Sequence, residues 1–391
     1  MRIGIIYSGS FPEGIGATAR VRYIAQLMQR LGARPTVLVT LPSPYVRMPS
    51  TFQGRSPEGI PYRYVGGLIR RRRGWVKFYD YFVYFRTIGR SFPEEIDHFD
   101  AFYVYASTPY FLEPVLQVLR RSGRPFVVEK TELHAALNRP FRSWKERLSN
   151  WLAKQYEESI LRGPKALLVI STALEQRFRN FNGPILHLPI MADYSRFTPV
   201  PFQRPPQYRI GYMGAFSSKD GIDGILRTFL RLHNTMPRVR LSLIGYSPAI
   251  RRIRQWVERY RLSHAVDFQI GIPNADLPLR LAECDTLLMN RRDVPASRYG
   301  FPTKLSEYLA TANPVIATGV GDIPRWFTHQ RHLWMIPPDN ETALENAIRK
   351  RYAEYVRFQR IGQEGRRFGE QHFHYERYLP VIHRVLNLLS S

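Results

Sequence analysis

Two ionisable side chains lie three residues apart at the start of a predicted helix, just after a glycine- and proline-containing turn. The turn contains Gly300, Phe301 and Pro302, and the helix that follows carries Lys304 and Glu307 in its first two turns. Free N–H groups at a helix start and a lysine ammonium both attract phosphate, and a carboxylate accepts hydrogen bonds from sugar hydroxyls. The spacing is therefore suited to a phosphate joined to a sugar. From spacing alone, an equally good interpretation is a surface Lys–Glu pair on an ordinary helix.

The residues around this pair predict the element that carries it. Thr303 is the expected N-cap of the helix. The helix is expected to break at Asn313 and Pro314, and residues 315–317 then form an apolar run typical of a buried strand.

A second lysine, Lys219, occupies a comparable place between a predicted strand at 208–213 and a helix predicted from about residue 222. The loop between them begins at Gly214 and contains Ser217. Lysine acts as a compact point charge toward phosphate, so Lys219 and Lys304 could both meet one diphosphate.

The first half of the chain has weaker signals. Gly14 and Gly16 follow the first predicted strand and allow close backbone approach before a helix predicted from about residue 17 to 31. The loop does not match the G-x-G-x-x-G pattern, which disfavours a dinucleotide oxidoreductase. His134 follows the predicted strand 125–130 and could reach a ligand. The alternatives are a glycine-rich turn with no ligand and a structural histidine.

Apolar runs separated by helical segments predict βαβ units and parallel sheets. The strands are predicted at 2–8, 35–40, 101–106, 125–130, 166–171, 185–190, 208–213, 240–245, 266–270, 286–290, 314–318 and 333–336. The Pro-rich residues 198–207 are the best linker, so we expect two α/β domains, 1–198 and 199–372, with a C-terminal helix, 373–391, packed on the first. In such sheets ligands bind beyond the carboxyl ends of the strands.

Composition describes a basic globular protein. The 391 residues are 44% hydrophobic and carry a formal net charge of +25. This charge favours an anionic partner, which could be nucleic acid, lipid headgroups or a phosphorylated substrate. The positive charge is dispersed and no nucleic-acid-binding motif is present, which disfavours nucleic acid. One cysteine, Cys284, and no apolar run long enough to span a membrane predict a cytoplasmic protein with peripheral membrane contact at most.

Two segments combine basic and aromatic residues. Residues 70–90 begin with four arginines, and residues 140–162 place Trp144, Trp151 and Tyr156 on one helical face. Such segments suit an anionic membrane or a lipid-linked acceptor. The commoner explanation for any one such helix is a core-facing side with a solvated basic edge.

Taken in order, these motifs resemble the family-4 retaining glycosyltransferases of the GT-B fold, also called glycosyl transferases group 1. The resemblance covers most of the chain. It rests on the Gly14/Gly16 loop, ADYSRFTP at 192–199, GAFSSKDGI at 214–222, VDFQIG at 266–271, GFPTKLSEYLATANPVIAT at 300–318 and Gly321 to Pro324. It implies two Rossmann-like domains whose parallel sheets face each other across a cleft, with the acceptor on the first domain and the donor on the second.

The resemblance also implies roles for individual residues. Lys219 would bind the donor diphosphate, Glu307 would hold the ribose hydroxyls, and His134 would lie near the transferred sugar. The Gly14–Gly16 loop would close over the donor. Further donor contacts would come from Gly214, Ser217, Gly300, Phe301, Pro302, Thr303 and Lys304.

The chain departs from the family pattern at two positions. The first of the family's paired glutamates is replaced by Tyr299, and the basic residue after the loop glycine is replaced by Ala215. The first change affects recognition of the donor sugar more than recognition of the nucleotide.

The predicted function is transfer of a sugar from a nucleotide-sugar donor, such as a UDP- or GDP-sugar, to a lipid-linked or surface-polysaccharide precursor. The resemblance implies retention of configuration, no cofactor and no obligatory metal ion, and no Asp-x-Asp motif is present. The alternatives are a sugar-nucleotide epimerase or phosphorylase of the same fold, or a non-catalytic protein that binds anionic ligands or membranes.

Overall fold

The computed structural model of the chain describes residues 1–14, 16–43, 51–69, 77–106, 109–133, 143–199, 207–245 and 249–391. The chain divides into two compact units. Unit 1 is Met1–Pro189 with Tyr375–Ser391, and unit 2 is Ile190–His374. Three predicted features fall wholly or mostly outside the described residues, namely His134, the arginine run at 70–73 and the linker.

The described part of unit 1 is built on an eight-stranded sheet. Its strands are β1 (Arg2–Tyr7), β2 (Arg34–Val39), β3 (Gln53–Arg55), β4 (Pro61–Tyr64), β5 (Ala101–Ala106), β6 (Phe126–Lys130), β7 (Leu167–Val169) and β8 (Ile185–His187). They lie in the order β3-β4-β2-β1-β5-β6-β7-β8, and every neighbouring pair is parallel except β3 and β4. Its helices are α1 (Gly16–Arg30), α2 (Lys77–Arg90), α3 (Phe92–Ile96), α4 (Pro109–Ser122), α5 (Trp144–Ser159) and α6 (Thr172–Arg177).

The described part of unit 2 contains a six-stranded sheet that is parallel throughout. Its strands are β9 (Tyr208–Gly214), β10 (Val239–Gly245), β11 (Val266–Ile270), β12 (Thr286–Met289), β13 (Val315–Thr318) and β14 (Trp334–Ile336), in the order β11-β10-β9-β12-β13-β14. This is the doubly wound order of a Rossmann fold. Its helices are α7 (Ile222–Thr235), α8 (Ile250–Arg259), α9 (Leu277–Ala282), α10 (Pro295–Arg298), α11 (Lys304–Ala310), α12 (Ile323–Trp326), α13 (Glu341–Ala353) and α14 (Tyr355–Phe373).

Every strand predicted from an apolar run overlaps an observed strand, but the sequence prediction omitted β3 and β4. These two short strands pair antiparallel at the edge of the first sheet. Their residues alternate or are polar rather than forming a continuous apolar run, because an edge hairpin buries little of its surface.

The boundary between the units lies after Pro189, earlier than the predicted boundary after residue 198. The intervening segment packs within unit 2. The Tyr194 hydroxyl lies 3.3 Å from Ser306 Oγ, and Arg366 donates a 2.9 Å hydrogen bond to the carbonyl of Phe197. These side-chain contacts fix the segment, whereas the sequence prediction relied on proline content alone.

The C-terminal helix α15 (Leu379–Ser390) belongs to unit 1. It packs against α1, β5 and β6. Its buried side chains Ile382, Val385, Leu386 and Leu389 recur at helical spacing. A chain end far along the sequence is therefore part of the first unit's core.

Candidate functional site

The predicted site residues of unit 2 lie in the loops that follow β9 and β12. These strands are neighbours in the sheet although β10 and β11 separate them along the chain. A parallel sheet leaves a crevice beyond its carboxyl ends where the strand order reverses, and β9 and β12 flank that point. Gly214 is the last residue of β9, and the loop after it carries Ser217 and Lys219. The chain after β12 leads through α10 to Gly300 and α11.

Lys304 is held by an ion pair with a residue of the β9 loop. Its Nζ donates hydrogen bonds to Asp220 Oδ1 at 3.1 Å and to the Tyr212 hydroxyl at 3.3 Å. The same Nζ lies 4.7 Å from the centre of the Tyr212 ring, and Asp220 Oδ2 accepts a 2.6 Å hydrogen bond from Ser217 Oγ. The Lys304 and Asp220 side chains are only 16% and 7% exposed. The pair therefore joins the start of α11 to the β9 loop.

The electrostatics of the pair follow from burial and from nearby cations. Burial raises the pKa of Asp220, but Lys304, Ser217 and Arg291 more than offset this and hold the pKa below its usual range. Burial lowers the pKa of Lys304, and Asp220 opposes that effect while Arg291 and Lys219 add to it. Lys219 and Arg291 thus both act on Lys304, which pairs with Asp220.

The structure changes the predicted part played by Lys304. We expected Lys304 and Lys219 to present two ammonium groups to one diphosphate, but Lys304 already has a carboxylate partner. Lys219 lies in the short 3₁₀ helix Ser218–Asp220 and is partly exposed. Its carbonyl accepts a 2.9 Å hydrogen bond from the backbone N–H of Arg292, which ties the β9 loop to the chain after β12.

Gly214 leaves the space that Lys304 occupies. A Cβ at this position would lie 2.5 Å from Lys304 Nζ and 2.7 Å from the Tyr212 hydroxyl. Any side chain here would push the ammonium away from Asp220. The ion pair therefore requires a glycine here, and the donor contact predicted for Gly214 stays a prediction.

Glu307 lies one turn into α11 and is 6% exposed. Burial raises its pKa to about 7, against the opposing effects of Arg196 and Lys304. A carboxyl group with this pKa changes charge near neutrality. In its ionised form it can accept hydrogen bonds from vicinal hydroxyls, as predicted for a ribose.

The turn before α11 is held by packing. Phe301 is buried, and its ring packs edge-on to Phe327 and Phe373 in unit 2. Gly300 and Pro302 are also buried.

Thr303 immediately precedes the helix as predicted, but the N-cap prediction is wrong in mechanism. Its backbone is already helical and its side chain makes no capping hydrogen bond.

The end of α11 is stabilised by a side-chain amide. Asn313 Nδ2 donates hydrogen bonds to the carbonyls of Leu281, Ala282 and Cys284 at 3.3, 3.2 and 2.7 Å. Ala312 takes a left-handed conformation with φ of 62°. The helix therefore ends at the break predicted from Asn313 and Pro314, and β13 follows directly.

The predicted residues of unit 1 are only partly described. Gly16 is the first residue of α1, which begins one residue earlier than predicted. A Cβ at Gly14 would collide with Thr18 Oγ1. This oxygen is hydrogen-bonded to the Tyr7 hydroxyl, and the two oxygens are 2.9 Å apart. Gly14 is thus required by local packing. His134 lies outside the described residues, so its placement near a transferred sugar stays a prediction.

Sequence reasoning missed three residues of the unit 2 cluster. Asp220 and Tyr212 were overlooked because their contact with Lys304 joins residues far apart in the chain. Arg291 was overlooked because its position just after an apolar strand resembles that of any solvent-facing arginine, yet it is 5% exposed.

Two features are absent from the described residues. No group of three or more His, Cys, Asp and Glu side chains there is arranged to hold a metal ion. None of the helices in the described ranges is long and apolar enough to cross a membrane.

Sequence models of two families match the two halves of the chain. The model described as glycosyl transferase 4-like domain matches residues 15–188, and the model described as glycosyl transferases group 1 matches residues 207–354. Together they cover most of both units.

Relatives and solved structures agree with these matches. A protein of Escherichia coli K12 named as the colanic acid biosynthesis glycosyltransferase WcaL is 24% identical over 204 residues, which is 51% of this chain and 50% of the relative. The chain thus matches about half the length of the curated relatives. Sucrose-phosphate synthase from Thermosynechococcus elongatus has a TM-score of 0.78 at 16% identity, covering 99% of this chain and 98% of its own. HepE from Anabaena, solved with UDP and glucose, has a TM-score of 0.73 at 16% identity and covers 99% of both chains.

The family matches span both units, and the solved structures share the fold over almost the whole chain. The chain is therefore a glycosyltransferase of the GT-B fold, with a glycosyl transferase 4-like domain in its first half and a glycosyl transferases group 1 domain in its second.

Proposed function

We propose that this protein transfers a sugar from a nucleotide-diphosphate-sugar donor to a saccharide acceptor during assembly of a cell-surface polysaccharide, with retention of configuration. The observation that carries the proposal is the cluster beyond β9 and β12. There Lys304 pairs with Asp220, Arg291 acts on both, and Lys219 acts on Lys304. Glu307 lies one turn deeper in the same helix as Lys304.

The cluster suits the chemistry of a departing nucleoside diphosphate. Cleavage of the bond between the sugar and the β-phosphate places negative charge on a phosphate oxygen. Arg291 acts on Asp220 and Lys304, and among the described residues it makes no ion pair, so the cluster has positive charge available to stabilise that oxygen. A fixed positive charge that acts more strongly on the transition state than on the bound donor lowers the barrier. We assign Lys219 to the diphosphate and Glu307 to the ribose hydroxyls.

The comparisons support the donor and acceptor classes by similarity. HepE from Anabaena was solved with UDP and glucose, which makes UDP-glucose the first donor to test. The name of the Escherichia coli relative refers to colanic acid, a polysaccharide, which favours a polysaccharide precursor as acceptor.

The test is turnover of UDP-, GDP- and ADP-linked hexoses by the purified protein, measured as release of nucleoside diphosphate with and without saccharide acceptors. Lys219→Ala and Glu307→Ala should each lower turnover about tenfold or more, because each removes a charged contact to the donor. Lys350→Ala is the control, since Lys350 is exposed and paired with Glu354 on α13. Activity should persist in EDTA, as expected for a transferase without an obligatory metal.

Three results would contradict the proposal. The site assignment fails if both variants leave turnover of every active donor unchanged. An epimerase would convert the donor without any acceptor, and a phosphorylase would require inorganic phosphate for cleavage.

We further propose that the acceptor is lipid-linked and that unit 1 contacts an anionic membrane surface. Helix α2 exposes Phe78, Tyr79, Phe82 and Phe85, and α5 exposes Trp144, Leu148, Trp151 and Leu152. The predicted apolar face of α5 differs from the observed one at Tyr156, which is buried with Ala153 and Ile160 on the inner side. Exposed aromatic rings beside lysine and arginine side chains suit the headgroup region of a bilayer.

A further inference from the structure

Arg291 is a buried cation that contacts no counter-charge among the described residues. Arg291 lies two residues after the end of β12, and its backbone carbonyl accepts a 2.8 Å hydrogen bond from Thr318 Oγ1. Only 5% of the residue is exposed. Among the described residues its Nε has no hydrogen-bond partner, and no carboxylate lies within ion-pairing distance of its guanidinium.

The guanidinium faces the candidate donor site. A Cβ built on Gly300 would lie 3.5 Å from Arg291 Nη1 and 3.7 Å from Nη2, so the group lies beside the turn that precedes α11. Its charge also acts on Asp220, Lys304 and Tyr212. Arg291 therefore adjoins both the Gly300 turn and the Lys304–Asp220 pair.

The charge balance of this cluster is incomplete. Asp220 pairs with Lys304, and among the described residues no ion pair joins Asp220 or another carboxylate to Arg291. A buried and unpaired charge is unfavourable, which favours binding of an anion that restores the balance. Arginine presents a planar set of N–H donors that matches the oxygens of a phosphate group.

We propose that Arg291 binds the diphosphate of the donor directly, and that Lys304 serves as a positioning residue that holds Asp220 and the β9 loop. This inference rests on the proposed function for the identity of the diphosphate. It assigns the phosphate contact to a residue that no sequence motif indicated, and it separates the roles of two cations in one cluster.

The test is binding of inorganic pyrophosphate and of UDP by calorimetry in about 0.15 M salt, where attraction to the dispersed surface charge is screened. Arg291→Gln should weaken pyrophosphate binding about tenfold or more, and Arg291→Lys should restore part of it, because the lysine keeps the charge but loses the fork of donors. Arg292→Gln is the matched control. Arg292 is the next residue, is exposed and pairs with Asp339, so its loss should change affinity less than twofold.

Thermal unfolding without ligand distinguishes binding from a structural role. Removing an uncompensated buried charge should leave the Tm of Arg291→Gln unchanged or raised. A lowered Tm in the ligand-free variant would show that the guanidinium stabilises the fold, and it would overturn the proposal. Unchanged pyrophosphate affinity in Arg291→Gln, or no binding of pyrophosphate by the unaltered protein, would overturn it too.

The outcome can be separated from that of the proposed function. If pyrophosphate binding depends on Arg291 but no sugar nucleotide is consumed, the phosphate site stands and the transferase proposal fails. If sugar transfer occurs and Arg291→Gln keeps both KM and kcat, the transferase proposal stands and Arg291 is not its phosphate contact.

Discussion

At the scale of single residues, burial decides what the charged groups of unit 2 can do. Lys304 and Glu307 share one face of α11, yet one is paired with Asp220 and the other is enclosed with a pKa raised to about 7. Burial disfavours the ionised form of a carboxyl group, and nearby cations offset that effect only in part. Glu307 therefore titrates near neutrality while Asp220 stays ionised.

The raised pKa of Glu307 predicts a pH dependence of stability. The folded state binds a proton that the unfolded state has already released between about pH 4.5 and pH 7, so folding stability falls as pH rises through that window. Glu307→Gln removes this loss. The variant should gain stability relative to the unaltered protein across the window, by up to about 3 kcal/mol above pH 7.

Urea unfolding between pH 4 and pH 8, followed by hydrogen exchange of peptides from α11, measures this difference. Glu354→Gln is the control, since Glu354 is a partly exposed residue of unit 2, and this variant should show no such gain. A stability difference for Glu307→Gln that does not change with pH would contradict the prediction.

At the scale of secondary-structure elements, close packing of α14 fixes α11 and with it the candidate site. A Cβ at Gly362 would collide with the carbonyl of Ala312, one at Gly365 with the carbonyl of His332, and one at Gly369 with the Tyr194 hydroxyl. Glycine at these positions lets α14 approach the end of α11 and the residues beyond it. The backbone that limits this approach is rigid, so a larger residue must displace an element.

We predict that Gly362→Ala lowers the free energy of unfolding of unit 2 by about 1–3 kcal/mol, because the added methyl group meets backbone atoms of residues 312–314. Displacement of α11 should also weaken binding of pyrophosphate or UDP. Gly89→Ala is the matched control. Gly89 is an exposed helical glycine, and no atom outside its own helix backbone and chain neighbours lies within 4 Å of the point where a Cβ would stand. Alanine there should stabilise by about 0.5–1 kcal/mol.

Chemical denaturation of both variants, with ligand titration on the folded proteins, measures these effects. The packing argument fails if Gly362→Ala and Gly89→Ala change stability in the same direction.

At the scale of the whole molecule, the net charge of +25 and the exposed aromatic residues of unit 1 act over different ranges. Charge attracts anionic surfaces over about 10 Å and weakens as salt is added. Aromatic side chains contribute only on contact, and that contribution depends little on salt. Membrane binding through α2 and α5 should therefore have a part that salt removes and a part that it does not.

We predict that the protein binds vesicles of phosphatidylglycerol and phosphatidylcholine, and that some binding remains at about 0.5 M salt. Replacing Trp144 and Trp151 together with serine should lower this remaining binding about tenfold, since each ring leaves water on contact. Leu279→Ser, which removes an equally exposed side chain from unit 2, should have no effect.

Vesicle co-sedimentation and size measurement in solution give the readouts. Equal binding by the double variant and by Leu279→Ser would contradict the membrane proposal. A dimer that dissociates when the two tryptophans are replaced would mean that a second copy of the chain covers this face.

The sequence by itself determined the class of fold and the order of its elements. Alternating apolar runs and helical segments predict parallel sheets. A helix that crosses over between two buried strands lets both strands run in the same direction. Local spacing also placed Lys304 and Glu307 on one short helix after a turn, and the motifs in order indicated the family. These features depend on residues close together in the chain.

Only the tertiary structure decided which charges are available. Lys304 and Asp220 are 84 residues apart, and their contact exists because β9 and β12 are neighbours in the sheet. The burial of Arg291 and Glu307, the space that Gly214 leaves and the packing of α15 on α1 arise in the same way. Charge state and burial are properties of the folded surroundings, which bring together side chains that no local spacing relates.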